Sequence, residues 1–416
     1  MKVFKFGGAS VKDSDGIKGL FNIVREEKDR LVIVVSAFGK TTNALEGVLK
    51  AWFTGDPAYQ ELLDSILTYH ISIYDGLFNK KDPEAVPVRD SFRLLKDYLK
   101  TGKPEDWDFE YDQVVSFGEI WSTTIVSEFL NYQGLRSEWI DIRKVLITDS
   151  TYRDANVLQD ESTKRIHEAF NDPGISFFVT QGFIGGTLKG KYTTLGREGS
   201  DYTAAILANV LNAESVTVWK DVPGLLNADP KWLGDAQKLD EVSYREAVEM
   251  TFSGAKVIHP KTIKPLHNKN IPLYVRSFLD PSQKGTLITS DPALSRILPV
   301  FVRKEGQILL SILPKDFSFV PGEKLSSILH MFMAHGIKVN LVEASAVSLD
   351  VCVDDERTRI TSLISDLEAE YSVIYNDNVE ILSIRHYSQE AVDRLTGERE
   401  VLLEQRTRSS VRFVVR

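Results

Sequence analysis

Five consecutive apolar residues, Leu31 to Val35, constrain the fold more than any other stretch of this chain. A short run that is apolar on both faces reads as a buried parallel strand. Its surroundings fit. Val3 to Phe6 is a short strand, broken by Gly7 and Gly8. A helix follows with Ile17, Leu20, Phe21 and Val24 on one face. After Val35 come Ser36, Ala37, Phe38 and Gly39, then a helix carrying Leu45, Val48, Leu49 and Trp52. Strand, glycine turn, helix, strand, loop, helix is the pattern of an α/β sheet. Ligands bind in such sheets at the carboxyl ends of the strands.

The chain has 416 residues, room for two or three domains. Its formal net charge of -9 argues against nucleic acid as a partner. With Cys352 as the one cysteine, no intrachain disulfide can form, and a reducing cytoplasm fits. No apolar run is long enough to span a bilayer, so no membrane partner is expected. The opening MKVFKFGG reads as the first core strand, too short in its apolar part for a secretory signal.

From about 55 to 108 the pattern turns helical, as in Leu62 to Leu77, and reads as an insertion on the sheet. Val114 and Val115 read as a strand end, with a helix from Ser116 through about Leu130. Ile175 to Val179 and Ser215 to Trp219 read as strands, Glu241 to Phe252 as a helix, and Ile271 to Val275 as the last strand of this unit. Residues 281–295 read as a linker. Beyond them strands are expected at Ile308–Leu313, Lys338–Val342, Val347–Val353, Glu380–Arg385, Val401–Glu404 and Val411–Val415. Helices are expected at Glu323–His335, on to about Glu370, and at Gln389–Leu395. This is an α+β region that repeats strand–helix–strand–strand about twice.

The densest polar chemistry lies in TTLGREGSDYTAAILANVL, Thr193 to Leu211. Ala204, Leu207, Ala208 and Leu211 share one face of a helix, which puts Ser200 and Asp201 at its N-terminus, where unpaired N–H groups attract anions. Arg197 precedes them. An ordinary helix cap needs only Ser200 or Asp201. At the chain start, KFGGAS sets Lys5, Gly7, Gly8 and Ser10 on a strand-to-helix turn suited to phosphate. GKTT, Gly39 to Thr42, is not a Walker A loop, because Val34 stands where its first glycine belongs. Glu119 falls early in its helix, where the dipole alone favours a carboxylate, or where it meets a substrate ammonium. Lys220, Asp221, Asp229, Lys231 and Lys256 lie in later loops. The histidines show no metal-site spacing, and no protein metal site is expected.

In this order KFGGAS, VVSAFGKTTN, SFGE, VTQGFIGG, TTLGREGSDYTAA, WKDVPGLLNADPK and SGAKVIHP resemble the aspartokinases of the amino-acid kinase family. The resemblance covers roughly the first two-thirds of the chain. It implies an amino-acid kinase fold, a three-layer sandwich around a mainly parallel sheet, over 1–280 with the helical insertion at about 55–108. The linker 281–295 and tandem interleaved ACT domains over 296–416, the second truncated, would follow. It implies phosphorylation of the β-carboxylate of L-aspartate by ATP with Mg²⁺. Lys5, Asp201 and Lys256 would be catalytic. Ser36, Thr42, Glu119, Phe183, Arg197 and Ser200 would hold aspartate. Gly7, Gly8, Ser10, Lys220, Asp221, Asp229 and Lys231 would hold the nucleotide. Another amino-acid kinase, or a non-catalytic amino-acid sensor, are the alternatives.

The sequence departs from the family's pattern at Ala9, Glu198 and Lys220, where threonine, glycine and Thr or Ser are commoner. It also ends at Arg416 without the usual final helix. Effector contacts would fall at Asn340, Glu343 and Ser345, with lysine or threonine as the effector. Asn340 and Ala346 stand where many lysine-inhibited relatives carry acids, so weak lysine inhibition, a response to threonine, or no regulation is expected. ACT pairing implies at least a homodimer.

Overall fold

The computed structural model describes residues 1–78, 86–255, 258–292, 298–316, 318–320, 322–397 and 399–416. The chain divides into two compact units of three segments each. Met1–Leu225, Lys238–Val248 and Val257–Ala293 form the first, and Leu226–Gln237, Glu249–Lys256 and Leu294–Arg416 the second.

The first unit begins with β1 (Lys2–Phe6), α1 (Ser14–Val24), β2 (Leu31–Val35) and α2 (Thr41–Phe53). Asp13 starts α1 by accepting from the Gly16 N–H. All five β2 residues are buried, so both faces of the strand are covered. The inserted helices are α3 (Tyr59–Leu77) and α4 (Val86–Thr101). Next, α5 (Trp107–Tyr132) runs for 26 residues from its Asp106 cap. Val114 and Val115 sit fully buried inside it and form no strand end. Two β-branched residues cost a helix only tenths of a kcal/mol, roughly. Burial of α5 against α2 and strands of the main sheet outweighs that.

Further along come β3 (Ser137–Ile140), α6 (Ile142–Val145), β4 (Ile147–Thr148), α7 (Gln159–Ala169), β5 (Phe177–Gln181), β6 (Ile184–Thr187), β7 (Tyr192–Thr194), α8 (Gly199–Val210) and β8 (Val216–Lys220). The unit finishes with β9 (Glu241–Ser243), α9 (Tyr244–Phe252), α10 (Pro260–His267), β10 (Leu273–Ser277) and β11 (Thr286–Thr289), and α9 runs on into the second unit. The main sheet has eight strands in the order β3-β5-β2-β1-β8-β10-β11-β9, and β4, β6 and β7 form a small second sheet. All main-sheet pairs are parallel except β10 with β11. Residues 281–295, read as linker, therefore supply a strand, and Glu241–Ser243, read as helix, pairs with it. Phe6 lies opposite both Val35 and Trp219, and Val35 opposite Gln181. The carboxyl ends of β5, β2, β1 and β8 are thus level.

The second unit holds β12 (Val300–Pro314), α11 (Glu323–Ala334), β13 (Val339–Ala344), β14 (Leu349–Asp354), α12 (Arg357–Leu367), β15 (Tyr371–Arg385), α13 (Gln389–Thr396), β16 (Val401–Arg406) and β17 (Ser410–Val415). They build one antiparallel sheet, β13-β14-β12-β15-β17-β16. The 15-residue strands β12 and β15 run through both halves, and their register breaks near Gly306, whose φ is +64°. One half is filled by α11 and α12 over Leu310, Leu349 and Phe332, the other by α13 over Leu382, Val411 and Phe413. Trp232, Leu233 and Ala236 pack on this second core, so 226–237 belong to the second unit although they fall within the span 1–280 expected to form one domain. The chain is a mainly parallel α/β unit followed by an α+β unit of ACT type. Among the described residues no helix is long and apolar enough to cross a membrane.

Candidate active site

The level strand ends create a cleft of about 520 Å³. From β1 it takes Lys5, from the turn after it Gly8, from the loop after β2 Ser36, Ala37 and Gly39, and from the first turn of α2 Thr42. Phe183 comes from the turn after β5, and Lys220 ends β8. The floor is the start of α8, with Arg197, Glu198, Gly199, Ser200 and Asp201. Two glycines permit this closeness. A Cβ on Gly8 would stand 2.5 Å from the Ala37 carbonyl oxygen, and one on Gly182 2.4 Å from the Ser200 Cβ. The Ser36 hydroxyl donates to the Ser200 hydroxyl at 3.0 Å, joining the β2 loop to the helix start.

Charge is sorted within the cleft. Asp201, 2% exposed, holds Lys5 Nζ at 2.6 Å and Lys220 Nζ at 3.7 Å. Burial alone would raise the Asp201 carboxyl. The two ammonium groups and their hydrogen bonds outweigh it and hold the carboxyl below the usual range. Asp201 thereby fixes two cations at the mouth of the phosphate-suited β1 turn. Gly7 lies beside Lys5, where a Cβ would be 3.7 Å from Nζ.

Glu119 lies in the interior of α5, not early in its helix as the sequence suggested, so the dipole of a helix start does not favour its charge; it is also 2% exposed. One oxygen accepts weakly from the Ala37 N–H at 3.4 Å, and the other has no hydrogen-bond partner among the described residues. Burial pushes its carboxyl up to about 8. Such a group is costly when ionised, unless a cation joins it. Arg197 is exposed and makes no ion pair among the described residues.

The sequence-assigned residues that line this cleft are Lys5, Gly8, Ser36, Thr42, Glu119, Phe183, Arg197, Ser200, Asp201 and Lys220. Ser10 is buried in the turn behind it, its N–H bonded to the Gly7 carbonyl. Asp221 is exposed beyond the lining. Asp229 and Lys231 belong to the second unit's segment, where the Asp229 carboxylate accepts from the Lys231 N–H at 2.9 Å. Lys256 lies outside the described residues. Tyr111 and Arg153 also line the cleft and carry no sequence motif. The Arg153 guanidinium lies 4.5 Å from the Tyr111 ring centroid, and the Arg153 backbone N–H donates to Asp112 at 3.0 Å. Asp112 also accepts from the Thr194 N–H and hydroxyl at 2.8 and 2.7 Å, tying together two lining loops. Burial raises the Asp112 carboxyl to about 6.

Such a cleft suits phosphoryl transfer, with fixed cations at a glycine turn and a separate pair of opposite charges for an acceptor. A profile described as the amino acid kinase family matches residues 1–277. The chain belongs to the amino acid kinase family. Among the family's characterised members it is 33% identical over 390 residues to lysine-sensitive aspartokinase 3 of Escherichia coli strain K12, covering 91% of this chain and 84% of that protein. It is 31% identical over 338 residues to the chloroplastic bifunctional aspartokinase/homoserine dehydrogenase 1 of Zea mays, covering 77% of this chain but 36% of that one. The fold superposes on E. coli aspartokinase III in complex with aspartate and ADP, its R-state, with a TM-score of 0.84 at 28% identity, covering 100% and 96% of the two chains. With the same enzyme in complex with lysine and aspartate, its T-state, the TM-score is 0.81 at 27% identity and the same coverage.

Proposed function

We propose that this protein is an aspartate kinase that transfers the γ-phosphoryl group of ATP to the β-carboxylate of L-aspartate, giving 4-phospho-L-aspartate, the first step toward lysine, threonine and methionine. The observation that carries the choice of acceptor is the buried Glu119 oxygen in one cleft with Arg197, each without a partner among the described residues. An α-amino acid offers an ammonium to the first and a carboxylate to the second. Arg197 grips that carboxylate with its planar fork. Ser36, Thr42, Phe183 and Ser200 complete the acceptor wall. Gly7 and Gly8, with Ser10 supporting their turn from behind, surround the phosphates, with Lys220 and Asp221 toward the nucleotide. Asp229, Lys231 and Lys256 keep nucleotide and catalytic roles in this reading on the strength of the family motif.

In the step itself one β-carboxylate oxygen bonds to the γ-phosphorus as the bond to the ADP oxygen breaks. The acceptor is already ionised, so no base is required. Lys5 stabilises charge on the transferring group, and Asp201 keeps Lys5 and Lys220 aimed at it. Mg²⁺ would be held by phosphate oxygens and water and would neutralise phosphate charge. Among the described residues no three His, Cys, Asp or Glu side chains are grouped to hold a metal, and Asp201 is taken by its lysines. A homodimer joined through the second unit, and a cytoplasmic location, belong to the same reading.

A coupled assay of ADP release with L-aspartate, L-glutamate and N-acetyl-L-glutamate tests it. Turnover with L-aspartate is expected. Turnover with N-acetyl-L-glutamate alone would move the protein to another amino-acid kinase, and none at all would make it a sensor. Arg197→Lys should raise the aspartate KM by about tenfold or more while leaving the ATP KM unchanged. Light scattering that reports only monomer would remove the dimer.

A further inference from the structure

Glu198 sits between Arg197 and the start of α8 in a conformation that ordinary side chains avoid, with φ 55° and ψ 29°. Glycine would take it without steric cost. The residue gains nothing as a cap, because its side chain makes no capping bond to α8. Instead one carboxylate oxygen accepts from the His259 backbone N–H at 2.8 Å. His259 is the N-cap of α10, accepting from the Lys261 N–H through its ring at 3.2 Å, with Pro260 at the first helical position. The same helix start is held a second time, by an ion pair of Lys261 with Asp154, the neighbour of cleft-lining Arg153. Both turns that bring an arginine to the cleft are therefore tethered to one fixed point.

We infer that Glu198 is a positioning residue for the acceptor, holding the Arg197 turn through its bond to α10. This rests on the proposed aspartate kinase reading. Arg197 makes no side-chain bond of its own among the described residues, so its placement falls to the backbone on either side. On one side Gly196, at φ +76°, is packed against Asp154, where a Cβ would stand 2.5 Å from a carboxylate oxygen. On the other side Gly199 is already pressed against Phe183, where a Cβ would stand 2.8 Å from the ring. The Glu198 carboxylate is the side-chain restraint of this turn, added to that backbone packing, and it acts on the acceptor's carboxylate partner rather than on the lysines that meet phosphate.

The test is steady-state kinetics on the full chain as wild type, Glu198→Gly and Glu198→Gln, with melting temperatures. Glu198→Gly relieves the backbone, so its melting temperature should hold or rise. Its aspartate KM should rise about tenfold, with the ATP KM within about twofold of wild type. Glu198→Gln keeps an oxygen that accepts from the His259 N–H and should restore a near-wild-type aspartate KM. An unchanged aspartate KM in Glu198→Gly overturns the inference. So does an equal rise in both KM values, or a Gln variant as impaired as the Gly variant. Wild type without aspartate-dependent turnover would instead defeat the proposed function, so the two failures are told apart.

Discussion

At the scale of single residues the cleft separates two tasks, and each can be disabled alone. Lys5→Met keeps the apolar stem of a side chain that is only 11% exposed but removes the ammonium beside Asp201. It should lower kcat by about 10²-fold or more, the scale of losing a preorganised donor. A near-normal kcat would remove Lys5 from catalysis. Glu119 gives a pH signature. Its carboxyl ordinarily titrates near 4.5 and burial raises it to about 8 in the folded protein. The folded chain therefore binds more protons than the unfolded chain between those values, and Glu119 makes the free protein less stable as pH rises through that window. An ammonium beside Glu119 reverses the preference, so acceptor binding at neutral pH releases a proton. The affinity for L-aspartate should rise with pH between about 6 and 8, by at most about tenfold per unit. Calorimetry in buffers of different ionisation enthalpy measures that proton. Glu119→Gln should lose the proton release and bind aspartate weakly. Lys5 was legible because it lies next to a strand end at a glycine turn, and Glu119 only through the string SFGE, since α5 carries it in its interior and not at a helix start. Tyr111 and Arg153 were not, since nothing local marks a helix residue and a loop arginine that meet only in the folded cleft.

At the scale of elements the least expected feature is the long helix α5, because it does more than carry Glu119. About two turns before Glu119 it places Asp112, which receives three hydrogen bonds from the Arg153 loop and from Thr194 at the end of β7. In Asp112→Asn an amide N–H₂ replaces one acceptor oxygen and leaves at least one of those buried donors unpaired. A loss of about 1–3 kcal/mol is expected in urea unfolding, with a weaker aspartate KM because both loops line the cleft. Stability equal to wild type would show that the carboxylate does not hold the loops. The Val114–Val115 pair concealed this helix, since two adjacent valines fit a strand locally and only packing on several sides makes them helical. Long apolar elements such as β2 and α8 were readable from their patterns. Strands of two to four residues, β3, β4, β6 and β7, were not, because so few residues establish no period. The strands β12 and β15 were read at less than half their length. Charged Arg303, Lys304 and Glu305 interrupt the apolar run of β12 where its ladder with β15 shifts register.

At the scale of the whole molecule the question is whether an α+β unit of this type must answer to lysine as the E. coli relative's name and T-state complex suggest for that enzyme. The residues matched to effector contacts are already engaged within this chain. Asn340 donates to Gln307 and Asp354 at 2.8 and 3.0 Å and accepts from Lys304 at 2.8 Å. Both of its N–H donors are therefore spent. Lys304 Nζ also lies 2.6 Å from the Asp354 carboxylate. Burial would raise that carboxyl, but Lys304 and Gln307 together hold it below its ordinary range. Glu343 accepts from Gln405 at 3.2 Å, and the Ser345 hydroxyl is bonded to the Ser348 hydroxyl at 2.7 Å. A free lysine would have to displace Lys304 from its carboxylate, trading one ammonium for another of the same charge. The internal one is tethered and so has the higher effective concentration. Lysine should therefore inhibit weakly or not at all, and threonine is the better candidate effector, since a neutral hydroxyl needs no carboxylate. Initial rates with L-lysine and L-threonine, separately and together, decide it. Cooperative inhibition by lysine alone below about 1 mM, a binding free energy of roughly −4 kcal/mol or stronger, would show that the Lys304 network opens to admit the ligand and that self-occupation does not protect this enzyme from feedback.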